Sequence, residues 1–261
     1  MKISLKSKRA LVGGSSKGLG KAVATQLAMS GATVTLLASN EQRLIKTVNN
    51  LKEKTGLNHD YLVVDYNNFE KYQKIIKEYL SVNPIDILIN NTQGPKGGDV
   101  MNVSIEDYQK SFDLLFKSVV FTTMIALKSM KKNKWGRIIN MASISVKEPL
   151  SYLALSNSIR SAVSTWGKTL SIDLASSNIT VNNVLTGYFN TERIQELNSE
   201  KAKKLNIKVE DVYGAMREII PSKRIGDPKE FAYLLTFLAS DNASYINGIN
   251  IPIDGGLIKS L

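Results

Sequence analysis

The stretch Arg9-Ala-Leu-Val-Gly13-Gly14-Ser-Ser-Lys17-Gly18-Leu-Gly20 decides the fold. Ala10-Leu-Val12 is a short apolar run of the kind a buried strand requires, and an amphipathic pattern starts at Gly18. Three glycines between a strand and a helix have separate tasks. One permits the tight turn, one lets backbone approach a pyrophosphate, and one lets the helix pack closely on the strand. The helix start then turns free N–H groups and a positive dipole end toward bound phosphates. A glycine-rich turn without a ligand is the plainer alternative, and the setting between strand and helix favours the nucleotide loop.

The same alternation continues along the chain. Residues 9–13, 33–38, 61–65, 85–89, 137–141, 179–184 and 248–253 read as strands, most of them apolar on both faces as buried parallel strands are. Helical patterns fill 18–30, 40–55, 68–80, 104–132, 151–176 and 228–240. Strand–helix alternation predicts a single α/β domain over residues 1–261, a Rossmann-type doubly wound parallel sheet with helices on both faces. Residues 187–227 break the rhythm. They are polar and helix-prone, bracketed by Gly187 and Pro221, and follow a strand end where ligands of open α/β sheets bind. That placement predicts a substrate lid.

Composition narrows the classes. With 261 residues and no cysteine, disulfides, thiolate catalysis and cysteine metal sites are excluded. The single His59 has no second histidine to share a site, so no metal centre is expected, and its polar surroundings predict a surface turn. The basic start Met1–Arg9 lacks the apolar region of a secretory signal, and no apolar run reaches membrane-spanning length. A cytoplasmic protein without membrane contact is expected. The net charge of +11 is spread along the chain, and no nucleic-acid-binding motif accompanies it, so nucleic acid is a disfavoured partner. Lys128, Lys131, Lys132 and Lys134 cluster where a helix should end, complementing its dipole.

The spacing Gly14-x-x-x-Gly18-x-Gly20 resembles that of the short-chain dehydrogenase/reductase family. Other segments extend the likeness from about residue 8 to Gly256: Asn90-Asn91-Thr-Gln-Gly94, Val184-Leu-Thr-Gly187 with Thr191, and Asn140 to Arg160. The resemblance implies a nicotinamide cofactor held by Gly14, Ser16, Lys17, Gly18, Leu19 and Gly20. It places Asp65, with its neighbour Tyr66, at the adenine, Asn91 at the dinucleotide, and Thr186, Gly187 and Thr191 near the carboxamide. An acid ending the second strand would bind the ribose diol of NAD, but Ala38, Ser39 and Asn40 stand there. Lys17 can pair with a 2′-phosphate, and Ser39 and Asn40 can hydrogen-bond to it. NADP(H) is therefore expected over NAD(H).

The family's reacting groups are a Ser, a Tyr thirteen positions later and a Lys four after that, with an Asn on the preceding long helix. Here these positions hold Ser143, Ser156, Arg160 and Leu115. A phenol titrates near about 10 and a cation brings it toward neutrality, whereas an aliphatic hydroxyl is far less acidic. Arg160 keeps the charge and can fork onto ribose hydroxyls, but it cannot release a proton. Losing a positioned acid costs roughly 10²–10⁴-fold, against roughly 7–11 kcal/mol available from positioning. Tyr152, four residues before Ser156, falls on the same face if both are helical and is a candidate replacement acid. Local packing of its ring is the alternative. Tyr188 and Lys147 are further candidates.

The resemblance thus implies an NADP(H)-dependent oxidoreductase with a modified centre, similar to 3-oxoacyl-carrier-protein reductases. Its substrate would be a small carbonyl or alcohol compound, acyl thioesters included. A catalytically inactive NADP(H) sensor or assembly partner is the alternative. The helices 104–132 and 151–176, the family's usual dimer surfaces, imply a homo-oligomer, a dimer or a tetramer.

Overall fold

Seven parallel strands form one sheet in the order β3-β2-β1-β4-β5-β6-β7 in the computed structural model, which describes residues 3–260. The strands are β1 (Arg9–Val12), β2 (Thr33–Ala38), β3 (Asp60–Val63), β4 (Ile87–Asn90), β5 (Gly136–Ser143), β6 (Ile179–Thr186) and β7 (Asn250–Ile253). The helices are α1 (Gly18–Met29), α2 (Glu41–Thr55), α3 (Phe69–Val82), α4 (Ile105–Phe112), α5 (Ser118–Asn133), α6 (Ala154–Leu174), α7 (Glu192–Leu205), α8 (Val209–Ile219) and α9 (Pro228–Leu238). Chain order reverses direction between β1 and β4, which are neighbours. A crevice therefore opens beyond their carboxyl ends, the usual ligand position in such sheets.

Apolar burial explains the layers. On one face Val23 and Leu27 of α1 pack with Phe231 and Leu235 of α9 over β1 and β2. On the other, Tyr72 and Ile76 of α3, Leu127 and Met130 of α5, and Leu170 and Leu174 of α6 cover β4 to β6. Each such side chain contributes about 1.5–3 kcal/mol when withdrawn from water. No helix among the described residues is long and apolar enough to cross a membrane.

Four departures from the sequence expectations have local causes. The helix expected over 104–132 is split by a π-turn at Asp113–Lys117, where the Ser118 N–H donates to the Asp113 carbonyl five residues back. The helix expected over 151–176 starts only at Ala154, because Gly98 and Leu153 pair as an isolated bridge. The last strand starts at Asn250, after Gly248 turns the chain at φ 70°. His59 is buried, not a surface turn residue. Its Nδ1 accepts the Val34 N–H at 3.1 Å, and its Nε2 lies 2.8 Å from Thr55 Oγ1. Because the Thr55 hydroxyl donates to the Leu51 carbonyl, Nε2 carries the ring proton. Burial and then Lys52 lower its pKa, which keeps the ring neutral.

Candidate active site

The glycine loop is shaped by contacts that exclude side chains. Gly14 and Gly18 adopt φ of 54° and 57°, a region costly for other residues. A Cβ on Gly20 would sit 2.2 Å from the Gly14 carbonyl oxygen, so the first turn of α1 closes directly onto the loop. Ser15, which sequence reasoning missed, ties this loop to β2. Its Oγ donates to the Val12 carbonyl at 2.8 Å and accepts the Leu37 N–H at 3.0 Å. A small hydroxyl residue beside the glycines is the only sequence sign of it.

The start of α1 has no side-chain cap, whereas Asn40, Asn68, Ser104 and Thr191 cap α2, α3, α4 and α7. An uncapped helix start leaves N–H donors for a ligand. Space for that ligand exists: a Cβ at Gly18 would meet nothing nearer than the Thr191 side chain at 3.7 Å. These residues fit a dinucleotide pyrophosphate. Ser16 and Leu19 are half-buried on the same loop.

Beyond the loop, Ser39 and Asn40 are exposed after β2, and the first carboxylate that follows is Glu41 at the start of α2, which accepts the Tyr61 hydroxyl at 3.3 Å. The Asn40 side-chain oxygen caps α2 by accepting the Arg43 N–H at 2.9 Å, leaving its amide N–H groups outward. Arg43, in the first turn of α2, joins Lys17 at this end of the crevice. Lys17 Nζ lies 3.2 Å from Glu196, and Arg43 Nη1 lies 2.7 Å from Glu192. The sequence reading missed Arg43, although a cation three residues after the helix cap was the available signal.

Asp65 is exposed, and its carboxylate accepts the Asn67 backbone N–H at 2.9 Å. Tyr66 turns inward: its ring is buried against Tyr72 at 5.0 Å and its hydroxyl reaches the Asn91 carbonyl at 3.4 Å. Desolvation pushes that phenol's pKa well up. An apolar ring next to another buried ring gains more inside than beside a polar groove. Asn91 donates to the Gly13 carbonyl at 3.1 Å and so locks β4 to the glycine loop.

The positions that resemble the family's reacting groups lie at the ends of β5 and α6. Ser143 is half-buried, and its Oγ accepts the Ser145 N–H at 3.1 Å, which leaves its own proton free to donate. Ser156 is buried, and its Oγ accepts from Arg160 Nε at 3.2 Å. Arg160 Nη1 donates to the Met141 carbonyl at 2.7 Å. Desolvation lowers the guanidinium pKa to about 10, so it stays a cation at neutral pH. Leu115 is buried in the π-turn and, with Arg160, Asn140 and Met141, lines a small cavity.

Tyr152 precedes α6, so helical periodicity does not place it beside Ser156. It is more than half exposed, and its hydroxyl lies 3.2 Å from the hydroxyl of Tyr188. Burial, then the hydrogen bond to Tyr152, drive the Tyr188 pKa well above the ordinary phenol value. Lys147 ends the short turn after Ser143. Thr186 ends β6. A Cβ on Gly187 would lie 2.6 Å from Asp254 Cα, so only glycine passes there. Thr191 caps α7, and the base of the 187–227 insertion is clamped by Asn190 and Gly226, each donating a backbone N–H across the Phe189–Gly226 bridge.

Residues 14–258 match the family model described as enoyl-(acyl carrier protein) reductase. The chain is 32% identical to the NADPH-dependent reductase BacG of Bacillus subtilis, over 98% of this chain and 100% of that protein. It is 29% identical to the 3-oxoacyl-[acyl-carrier-protein] reductase FabG of Aquifex aeolicus, with the same coverage. The crystal structure of L-sorbose reductase from Gluconobacter frateurii, complexed with NADPH and L-sorbose, superposes with a TM-score of 0.94 at 29% identity over 100% of both chains. With a family model covering nearly its whole length, close relatives of matching extent and a seven-stranded parallel sheet, the chain belongs to the short-chain dehydrogenase/reductase family.

Proposed function

We propose that the protein is an NADP(H)-dependent oxidoreductase that reduces a carbonyl compound through a modified proton-donating group. The observation that carries this reading is the uncapped, glycine-built start of α1 beside the cations Lys17 and Arg43, with no carboxylate ending β2. The printed names of the relatives support it, since BacG is NADPH-dependent and the sorbose reductase holds NADPH. When bound, the cofactor supplies the hydride. The chain's own residues do the rest. The loop N–H groups hold the pyrophosphate, and Lys17, Arg43, Ser39 and Asn40 hold the 2′-phosphate. Arg160 has Nη2 free after binding Ser156 and Met141, and that fork holds ribose hydroxyls. Ser143 donates to the substrate oxygen. The Tyr152–Tyr188 pair, the ionisable hydroxyls nearest the insertion's base, keeps the proton that the reduced oxygen takes. Residues 187–227 form the lid that excludes water.

The FabG relative supports acyl thioesters among the substrates. Met124 on α5 and Ile172 on α6 are more than half exposed, which supports a homo-oligomer through these helices. Light scattering should then return a multiple of the chain mass, and a monomer would refute that part. The activity is tested by mixing protein and NADPH with ketones, β-ketoacyl thioesters and quinones and following absorbance loss. Turnover on at least one class is expected. One observation favours the sensor reading instead: Ser156 is buried and bonded to Arg160, away from any reacting role. Tight NADPH binding with no turnover on any class would establish that alternative.

A further inference from the structure

Lys17 and Arg43 come from different elements, the glycine loop and α2. Both are met by carboxylates of a third element, α7 of the insertion. Glu192 Oε2 lies 2.7 Å from Arg43 Nη1 and 3.9 Å from Lys17 Nζ, and Glu196 Oε1 lies 3.2 Å from Lys17 Nζ. Glu192 and Glu196 are four residues apart, so one face of α7 presents both to the cation pair. Thr191, which caps this helix, also rests over Gly18. The insertion therefore touches the crevice at the place where a cofactor phosphate would need the same two cations.

We propose that Glu192 and Glu196 are specificity-determining residues that act as a latch. They hold α7 on Lys17 and Arg43 in the free protein, and the 2′-phosphate of NADP(H) takes their place. The inference rests on the NADP(H) reading above. Magnitudes favour exchange. All four side chains are roughly half exposed, and ion pairs of that kind contribute little. A phosphate carrying close to two negative charges accepts an arginine fork bidentately and makes bonds roughly twice as strong as neutral ones. NAD(H) brings no such group, so it binds with the latch closed. Cofactor discrimination and release of α7 are then one event. Two carboxylates left facing an incoming phosphate would repel it, so the latch must leave for the phosphate to enter.

The chain has no cysteine, so Lys203→Cys on the exposed side of α7 gives a single site for an environment-sensitive fluorophore. The labelled full-length protein is titrated with NADPH, NADH and adenosine 2′,5′-bisphosphate. The same titrations are made in an E192Q/E196Q background. NADPH and the bisphosphate should change the emission of the parent, and NADH should not. In the E192Q/E196Q background the starting emission should already match the phosphate-bound state, and the bisphosphate should bind about tenfold tighter. NADH affinity should be unchanged. An emission change with NADH equal to that with NADPH would overturn the latch. So would bisphosphate affinity that the glutamine substitutions leave unaltered. Failure of the parent to bind any of the three ligands would instead defeat the cofactor reading itself.

Discussion

At the scale of single residues, Arg160 stands at the family's lysine position and bonds both Ser156 and Met141. A lysine ammonium is a compact point charge, whereas the guanidinium distributes five donors in a plane. Here one goes to Ser156 and one to Met141, which fixes the plane and leaves an edge outward. No phenol stands at position 156 for that charge to activate. Tyr188 is affected in the opposite sense, because burial and the Tyr152 hydroxyl raise its pKa above the normal phenol value. A group with a raised pKa stays protonated through the neutral range and is lost as a donor only at higher pH. Carbonyl reduction should therefore be flat between about pH 6 and 9, and alcohol oxidation should be slow there. Tyr188→Phe and Tyr152→Phe should each lower kcat by roughly 10²–10⁴ with NADPH affinity unchanged. A pH–rate profile with an inflection near neutrality, or full activity in both variants, would remove the tyrosine pair as proton source. The exchanges at 115, 156 and 160 were legible in the sequence because they keep the family spacing. The Tyr152–Tyr188 contact was not, since it joins residues 36 apart through the fold.

Among elements, the sheet is threaded by a ladder of asparagines in register. Asn90 pairs with Asn140, Asn140 with Asn183, and Asn183 with Asn250 across β4, β5, β6 and β7. Their amides join end to end: Asn90 Nδ2 donates to Asn140 Oδ1, Asn140 Nδ2 to Asn183 Oδ1, and Asn183 Nδ2 to Asn250 Oδ1, each at 2.8 Å. Gly167 lets α6 approach them, since a Cβ there would lie 2.9 Å from both Asn140 and Asn183. Asn90 ends the ladder one residue before Asn91, which grips the glycine loop. Removing Asn140 orphans two buried polar groups at about 1–3 kcal/mol each. Asn140→Leu should thus cost about 2–6 kcal/mol in urea unfolding, and a loss under about 1 kcal/mol would show that the ladder is dispensable. Every one of these asparagines sat visibly inside or beside a strand pattern. Their alliance depends on register between strands distant in sequence, which periodicity does not carry. The π-turn at 113–117 was hidden for a related reason: its residues are as helix-compatible as their neighbours, and the bulge shows only in which carbonyl Ser118 reaches.

For the whole molecule, the strand–helix alternation and the glycine loop were enough to foresee a doubly wound parallel sheet, because buried parallel strands and crossover helices leave distinct patterns. The position of α7 was not foreseen. A polar helix has no strong apolar face to declare its partner, and the ion pairs that join it to the crevice reach residues about 150 to 180 positions away. The molecule that results joins a nucleotide crevice to the 187–227 insertion by charge. This arrangement favours the phosphorylated cofactor. Equilibrium titration of the full chain, followed by nicotinamide fluorescence, tests this most directly. Saturable binding of one NADPH per chain is expected, at least about tenfold tighter than NADH, as one charge-assisted phosphate contact provides. Equal affinities, tighter NADH, or no binding of either would contradict it.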